Sequence, residues 1–359
     1  MLRYTVKRLL YGILVLLGVV TLVFFLFNIL PGDPARMMLG QRADEESIRL
    51  VNRDLGRDKP VGLQYLNYLN DLLPVSIHCN NDVDNYFYLD DDKYAPYTTL
   101  LKAGGTSVVL KAPYLRRSYQ SKRKVSEIIA AAFPQTALLA VVALGFALVL
   151  GIILGILSAL YKDTWVDRLT LVLSTLGMSL PSFFAAILIA WLFAYVLADW
   201  THLNMFGNLY TVDDYGTGEY LDLKNLILPA LTLGIRPLAI LTQLTRNSML
   251  ETLSQDFIRT ARAKGLSRRR IIVHHALRVS LNPVVTSASG WLAGLLAGAV
   301  FVEYVFDWKG MGIVIVDGLD KYDFPVVMGA ILFICVLLIV INLLTDILYA
   351  LLDPRVRMQ

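Results

Sequence analysis

The chain has 359 residues, 56% of them hydrophobic and 17% charged, where soluble domains average about 45–50% and about 25%. That composition, with a mean hydropathy of +0.57, excludes a disordered chain and exceeds what one soluble core can hide. A net charge of +4 and two cysteines give neither a strongly basic nucleic-acid surface nor a disulfide framework, and a helical membrane protein remains.

In chain order, the first long apolar run is Leu9–Leu30, preceded by Arg3, Lys7 and Arg8. It exceeds the core of a secretory signal, no A-x-A site follows, and Pro31-Gly32-Asp33-Pro34 comes instead, so it reads as a retained anchor. Five more runs follow: Ala137–Leu160, Leu169–Ala198, Leu226–Thr245 interrupted only by Arg236, Pro283–Val302, and Val326–Thr345. A crossing helix needs about 20 apolar residues, so the reading is an all-α membrane protein with six transmembrane helices. Period-two alternation is absent, which argues against a barrel. The third run has 30 residues, about 45 Å of helix. That is too long for one straight crossing, and Pro181 predicts a kink or break near Ser179-Leu180-Pro181, or two shorter pieces.

The predicted organisation is a first transmembrane helix at 1–30, an external loop at 31–133, and a five-helix core at 134–359. Within the loop, Glu45–Leu55 and Leu63–Leu73 have the spacing of short amphipathic helices. Residues 75–113 read as a small extra lobe: Asn80–Tyr97 is rich in Asp, Asn and Tyr, and Thr106–Lys111 reads as a strand. Asp82, Asp84, Asp90, Asp91 and Asp92 do not fit an EF-hand loop and read as a solvated acidic turn. His78 and Cys79 point apart in an extended chain, so no metal site is predicted there.

The short loops fix the orientation. Basic residues gather at the N-terminus, in the second loop (Lys162, Arg168), in the fourth (Arg246, Arg259, Arg262, Lys264, Arg268, Arg269, Arg270, Arg278) and at the C-terminus (Arg355, Arg357). The opposite short loops hold only Lys224, Lys309 and Lys321. The positive-inside rule puts both termini and the fourth loop in the cytoplasm and residues 31–133 outside.

The fourth loop, 246–282, carries the functional signal. Ser254 can cap a helix over Gln255–Lys264 that stops at Gly265. Ser267 can cap a second helix to about Leu281, closed by Asn282-Pro283. Phe257, Ile258 and Ala261 share a face, with Arg259, Arg262 and Arg269 projecting elsewhere. Two readings stay open: an interfacial helix held by acidic lipid headgroups, and a docking helix for a cytoplasmic partner.

Phe257-Ile258-Arg259-Thr260-Ala261-Arg262-Ala263-Lys264-Gly265-Leu266 resembles the signature loop of ABC importer permeases, in the version of the dipeptide, oligopeptide and nickel family. His275-Ala276-Leu277-Arg278 with Pro283 continues the pattern. Lys7-Arg8-Leu9-Leu10, Pro31-Gly32-Asp33-Pro34-Ala35 and Leu180-Pro181-Ser182-Phe183 resemble the same family, as do Asn342, Asp346, Tyr349 and Asp353-Pro354-Arg355-Val356-Arg357. The general signature has Glu-Ala-Ala before the glycine, where this chain has Arg259-Thr260-Ala261 as subfamily members do. The 75–113 lobe is longer than the usual external loop.

The resemblance implies a type I importer permease fold and the first of two permease subunits, forming half of a path through the inner membrane. It also implies a homologous second permease, two cytoplasmic ATPase subunits and an external binding protein. The cargo it implies is a di- or oligopeptide, with nickel as the alternative. This chain has no G-x-x-x-x-G-K-[ST] phosphate cradle of its own. An ion-driven carrier is the rival class, for which buried mid-membrane carboxylates are the usual sign; Asp346 and Glu303 both lie near span ends. No catalytic residue, metal ligand or cofactor is predicted: His274 and His275 lack the i, i+4 spacing of a zinc pair, and Ser179 lacks a base.

Two intramembrane features complete the reading. Arg236 either pairs with a carboxylate or with carbonyls freed by Pro237, or acts near the path. Thr286, Gly290, Gly294 and Gly298 form a small-residue stripe on one face of the fifth span, flanked by Ala293 and Ala297. Such a stripe lets backbones approach closely, within this subunit or at a seam with the second permease.

Overall fold

The computed structural model describes residues 2–29, 35, 44–54, 56–82, 85–212 and 218–352. The Pro31–Pro34 break, Leu55, Asp84 and the C-terminal Asp353–Arg357 motif lie outside them, and the side chains of Gly298, Asp346 and Tyr349 are not described.

The described chain is mainly helical, because a segment in hydrocarbon must satisfy its own backbone polar groups. Four helices contain a window long and apolar enough to cross a membrane: Lys7–Asn28, Val125–Leu160, Lys224–Leu253 and Phe324–Thr345. Two bent pairs raise the number to six if each counts as one span. In the first, Trp165–Ser179 and Ser182–Val196 meet at 112°. The break is where Pro181 predicts it. Leu180 is extended (φ −73°, ψ 127°) and its N–H still closes on Leu176 O at 3.1 Å; the next helix starts directly after the proline. The second pair, Asn282–Leu296 with Val300–Phe306, bends by 57°.

The chain divides into two compact units, one of Met1–Gly12, Ala132–Ile313 and Val336–Gln359, the other of Ile13–Ala131 and Val314–Cys335. In the first, Leu139, Ala143 and Ala147 meet Leu228, Leu233 and Leu241, with Val284, Leu295, Val302, Phe306 and Trp308 completing the core. Close approach is set by Gly151 and Gly155. A Cβ at Gly155 would stand 2.7 Å from Thr242 O, and one at Gly151 3.2 Å from Leu238 O. This G-x-x-x-G pair, which the sequence reading passes over, is the seam between the second and fourth spans.

In the second unit, Phe24, Phe27, Tyr68, Phe324, Val327 and Met328 form an aromatic-rich core. Glu45–Asp54 and Val61–Leu72 are helical, close to expectation. The 75–113 lobe holds more sheet than its texture suggests: β1 (Val75–Cys79), β2 (Tyr97–Ala103) and β3 (Thr106–Lys111) form an antiparallel sheet in the order β1-β3-β2. Only β3 is predicted. The missed signal is Gly104-Gly105. Both have positive φ (+55° and +84°), and Ala103 pairs with Thr106 across them, as a two-residue hairpin turn requires.

Buried polar groups organise the lobe. Asp71 accepts from Tyr94 Oη at 2.7 Å and Arg116 Nε at 3.1 Å, and its backbone carbonyl accepts from Lys111 Nζ at 2.6 Å. The acidic turn is spent locally: Asp90 caps the short helix Asp91–Tyr94, Asp91 accepts from Tyr97, and Asp92 pairs with Arg117 at 3.0 Å.

His78 is buried on β1, its Nε2 2.9 Å from Ser76 Oγ. Burial first, then the charge of Lys111, hold its pKa below the ordinary 6.5. The unfolded lobe therefore binds a proton that the folded lobe refuses. Stability is fully present above pH 6.5 and falls as the pH drops below it, by at most about 1.4 kcal/mol per pH unit. Hydrogen exchange of the β3 amides between pH 7.5 and 5.5 should show this acid loss, and His78→Gln should flatten it.

Candidate functional site

The fourth loop begins with the helix Asp256–Ala263. Ser254 does not cap it; its hydroxyl donates back to Glu251 O at 2.7 Å, and Gln255 is the extended residue at the helix start. The helix ends at Gly265, as predicted, with φ +75°. Gly265 N–H donates to Arg262 O at 2.9 Å and Leu266 N–H to Ala261 O at 3.3 Å. These two bonds make a Schellman stop, which favours glycine because a Cβ is strained at that φ.

Ile258 and Ala261 are fully or nearly buried, with Leu266 packed beside them against Ala159, Met249, Ile271 and Ala276. Phe257 lies at the exposed edge of their face, about 40° from Ala261 and about 100° from Ile258. It is 38% exposed, and Arg259, Thr260, Arg262, Ala263 and Lys264 are exposed with it. The face available to a partner is therefore Phe257, Thr260 and Ala263 with the basic residues around them, while Ala261 belongs to the subunit's interior.

The second half of the loop does not close at Asn282-Pro283. Arg268–Arg270 leads through a π-helical turn, Ile271–Ala276, into Leu277–Ser280. Leu281 stays helical, Val285 N–H donates to Leu281 O at 2.9 Å, and the fifth-span helix Asn282–Gly298 follows at once. Pro283 falls in the first turn of that helix, where a missing N–H costs nothing.

The loop rests on the adjacent ends of two long helices, which an ion pair holds together. Asp167, 2% exposed, accepts from Arg246 Nε at 2.6 Å and Nη2 at 2.7 Å, from Ser158 Oγ at 2.5 Å and from Asp163 N at 3.0 Å. A buried carboxylate with every lone-pair direction used is what such burial requires. The sequence reading counted Arg246 only as a topology charge. Asp167, lying 79 positions before it, carries no local signal of the pairing.

Gly290 and Gly294 face open space: a Cβ on either meets nothing within 4 Å, and both are exposed. Thr286, also exposed, lies on the same side, its hydroxyl bonded to Asn282 O. Gly290 and Gly294 therefore do not pack within this subunit, where Val284, Ala288 and Leu295 on the other face fill that role. Arg236 is exposed and has neither an ion pair nor a hydrogen bond among the described residues, so the expected structural pairing is not there. Glu303 is fully buried and committed: it accepts from Thr136 Oγ1 and Gly312 N, each at 2.6 Å, at the start of the helix Met311–Asp320.

Comparison with known proteins gives concordant findings. The family model for the binding-protein-dependent transport system inner membrane component matches residues 151–358, and the model for the N-terminal part of such components matches residues 1–86. The glutathione transport system permease protein GsiC of Pectobacterium atrosepticum is 36% identical over 357 residues, covering 99% of both chains. Its counterparts in Salmonella typhimurium and Escherichia coli K12 are 35% and 34% identical with the same coverage. Among solved structures, the inward-facing MetNI methionine ABC transporter aligns with a TM-score of 0.50 at 16% identity, covering 64% of this chain and 97% of that one. This likeness concerns the fold.

Asp167→Asn should leave the Arg246 guanidinium buried without its counter-charge, a loss of roughly 3–5 kcal/mol. Thermal unfolding of the purified subunit in detergent should show a clear drop, partly recovered in Asp167→Asn with Arg246→Gln.

Proposed function

The chain belongs to the family of binding-protein-dependent transport system inner membrane components, and we propose that it forms half of an ATP-driven import path for peptides. It is a transport subunit, an ABC importer permease, and not an enzyme. The observation that supports the driven half of this reading is the Phe257–Leu266 helix, whose inner face is packed on its own subunit and whose outer face is left exposed. A force-transmitting contact needs both: a rigid seat behind and a free surface in front.

In this reading six spans cross the membrane, with each bent pair counted once, and both termini and the 246–282 loop face the cytoplasm, where the short basic loops favour them. The residues 75–113 form an extracytoplasmic lobe. Two cytoplasmic ATPase subunits drive the complex, with Phe257, Ile258, Arg259, Thr260, Ala261, Arg262, Ala263, Lys264, Gly265 and Leu266 as the segment of this chain that couples to one of them. An external binding protein delivers cargo, and a second homologous permease completes the path. Relatives named for glutathione transport favour peptide over nickel. The stripe of Thr286, Gly290, Gly294 and Gly298, open at Gly290 and Gly294, is the seam with the second permease.

Two variants separate seat from surface. Gly265→Val strains the Schellman stop by about 1–2 kcal/mol and redirects Ser267. Phe257→Asp changes only the outer face. Both should insert normally, with a Ser267→Cys reporter reacting only after permeabilisation. Both should lower binding-protein-stimulated ATP hydrolysis in the purified complex at least tenfold. Wild-type stimulation in both would leave the loop a lipid-facing helix.

The two glycine pairs should part company as well. Gly155→Leu overpacks an internal contact and should destabilise the isolated subunit by about 1–3 kcal/mol. Gly294→Leu should leave the isolated subunit unchanged and impair co-purification with the second permease. Normal assembly and transport with Gly294→Leu would turn that face to lipid.

A further inference from the structure

Arg236 stands at the middle of the apolar Leu226–Thr245 run, ten residues from one end and nine from the other. That is about 15 Å of helix in each direction, too far for its three-methylene stem to carry the guanidinium to either interface. It is exposed, with no ion pair or hydrogen bond among the described residues. Its face of the Lys224–Leu253 helix is also defined. Gly234 abuts the Ala143 carbonyl, and Leu238, Leu241, Thr242 and Thr245 abut Gly151 and Gly155, so that side meets the second span. Arg236 projects to the opposite side.

Two more polar residues share that side. At about 100° per residue, Gln243 and Asn247 fall within roughly 40° of each other with Arg236 between them. Asn247, beyond the apolar run, is exposed and accepts from Arg246 Nη1 at 3.3 Å. Gln243, within the run, is half-buried and has no hydrogen bond among the described residues. Hydrocarbon would not tolerate Arg236 and Gln243 on one face. A single ion pair with a neighbouring subunit would account for Arg236 but not for an amide seven residues, about 10 Å, further along the helix. A water-filled passage that opens at Asn247 accounts for both.

We infer that Arg236 lines the cargo path and favours anionic cargo by offering its guanidinium to a carboxylate. The fork of a guanidinium matches a carboxylate in two parallel hydrogen bonds, and the same fixed charge repels a bare divalent metal ion. This rests on the peptide-importer reading and sharpens it: the cargo is a peptide with an unneutralised carboxylate, and nickel alone is disfavoured.

The test uses the assembled complex in proteoliposomes, with Ala-Ala-Asp, Ala-Ala-Ala and Ala-Ala-Lys as cargo. Arg236→Gln should lower import of Ala-Ala-Asp relative to Ala-Ala-Lys at least tenfold, and Arg236→Lys should keep most of the preference. A second arm needs no cargo. With Cys79 and Cys335 replaced by serine, Gln243→Cys should react with the anionic sulfonatoethyl methanethiosulfonate, and at least tenfold more slowly once Arg236→Gln is added. The cationic trimethylammonium reagent should show no such fall. An equal loss for all three peptides, or a Gln243→Cys thiol inert to both reagents, would overturn the inference. If the wild-type complex imports none of the peptides, the importer reading fails, and the thiol rates still decide whether Arg236 faces a charge-selective passage.

Discussion

The Asp167–Arg246 pair is the contact on which the seat of the Asp256–Ala263 helix depends. It joins the start of the Trp165–Ser179 helix to the end of the Lys224–Leu253 helix, and Ser158 ties in the end of the second span. The residues that seat the Asp256–Ala263 helix are its immediate neighbours: Ile156 and Ala159 beside Ser158, and Met249, Leu250 and Leu253 one and two turns beyond Arg246. Two charges are costly to bury, and full hydrogen bonding is what makes the burial tolerable. In return the geometry is fixed, because a guanidinium fork and a carboxylate meet in few orientations. A seat assembled from two separate spans can receive force only if the spans keep their spacing.

The membrane core follows a related economy of contact. Where this chain packs on itself, glycine and small residues sit opposite backbone, as at Gly151, Gly155 and Gly234. Gly290 and Gly294 differ: a Cβ on either meets nothing within 4 Å. The same distinction separates Glu303 from Arg236. Glu303 has its hydrogen bonds met within the subunit, and Arg236 has none among the described residues.

What could be read from the sequence divides along physical range. Apolar runs, the Pro181 break and the Gly265 stop are local, decided by solvent, a missing N–H and a left-handed backbone, and each is found where the residues place it. Phe257, Ile258 and Ala261 together span about 100° of the helix, and only the seat decides that Phe257 stands at the exposed edge of that face. Strand β1 is hard to see because its alternation is inverted, with Ser76 and His78 on the buried side, and its partner β3 is distant in sequence; β2 alternates little in burial, although Gly104-Gly105 marks its hairpin with β3. The Asp167–Arg246 pair and the identity of the internal glycine seam were out of reach, since no spacing rule links positions so far apart.

The run from Arg268 through Leu281 into the fifth span is helical without a closing turn, so its parts share one rotational phase. Each residue in an α-helix advances the azimuth by about 100°, and a π-helical turn accommodates one residue more than an α turn. The turn at Ile271–Ala276 therefore sets the compass bearing of Gly290 and Gly294 relative to the Asp256–Ala263 helix. Adding or deleting one residue between Ser267 and Val284 would swing that glycine face by more than a quarter of a circle, while the same change before Gly265 would be absorbed by the bend. Chain length in this stretch is thus under a stricter constraint than side-chain identity.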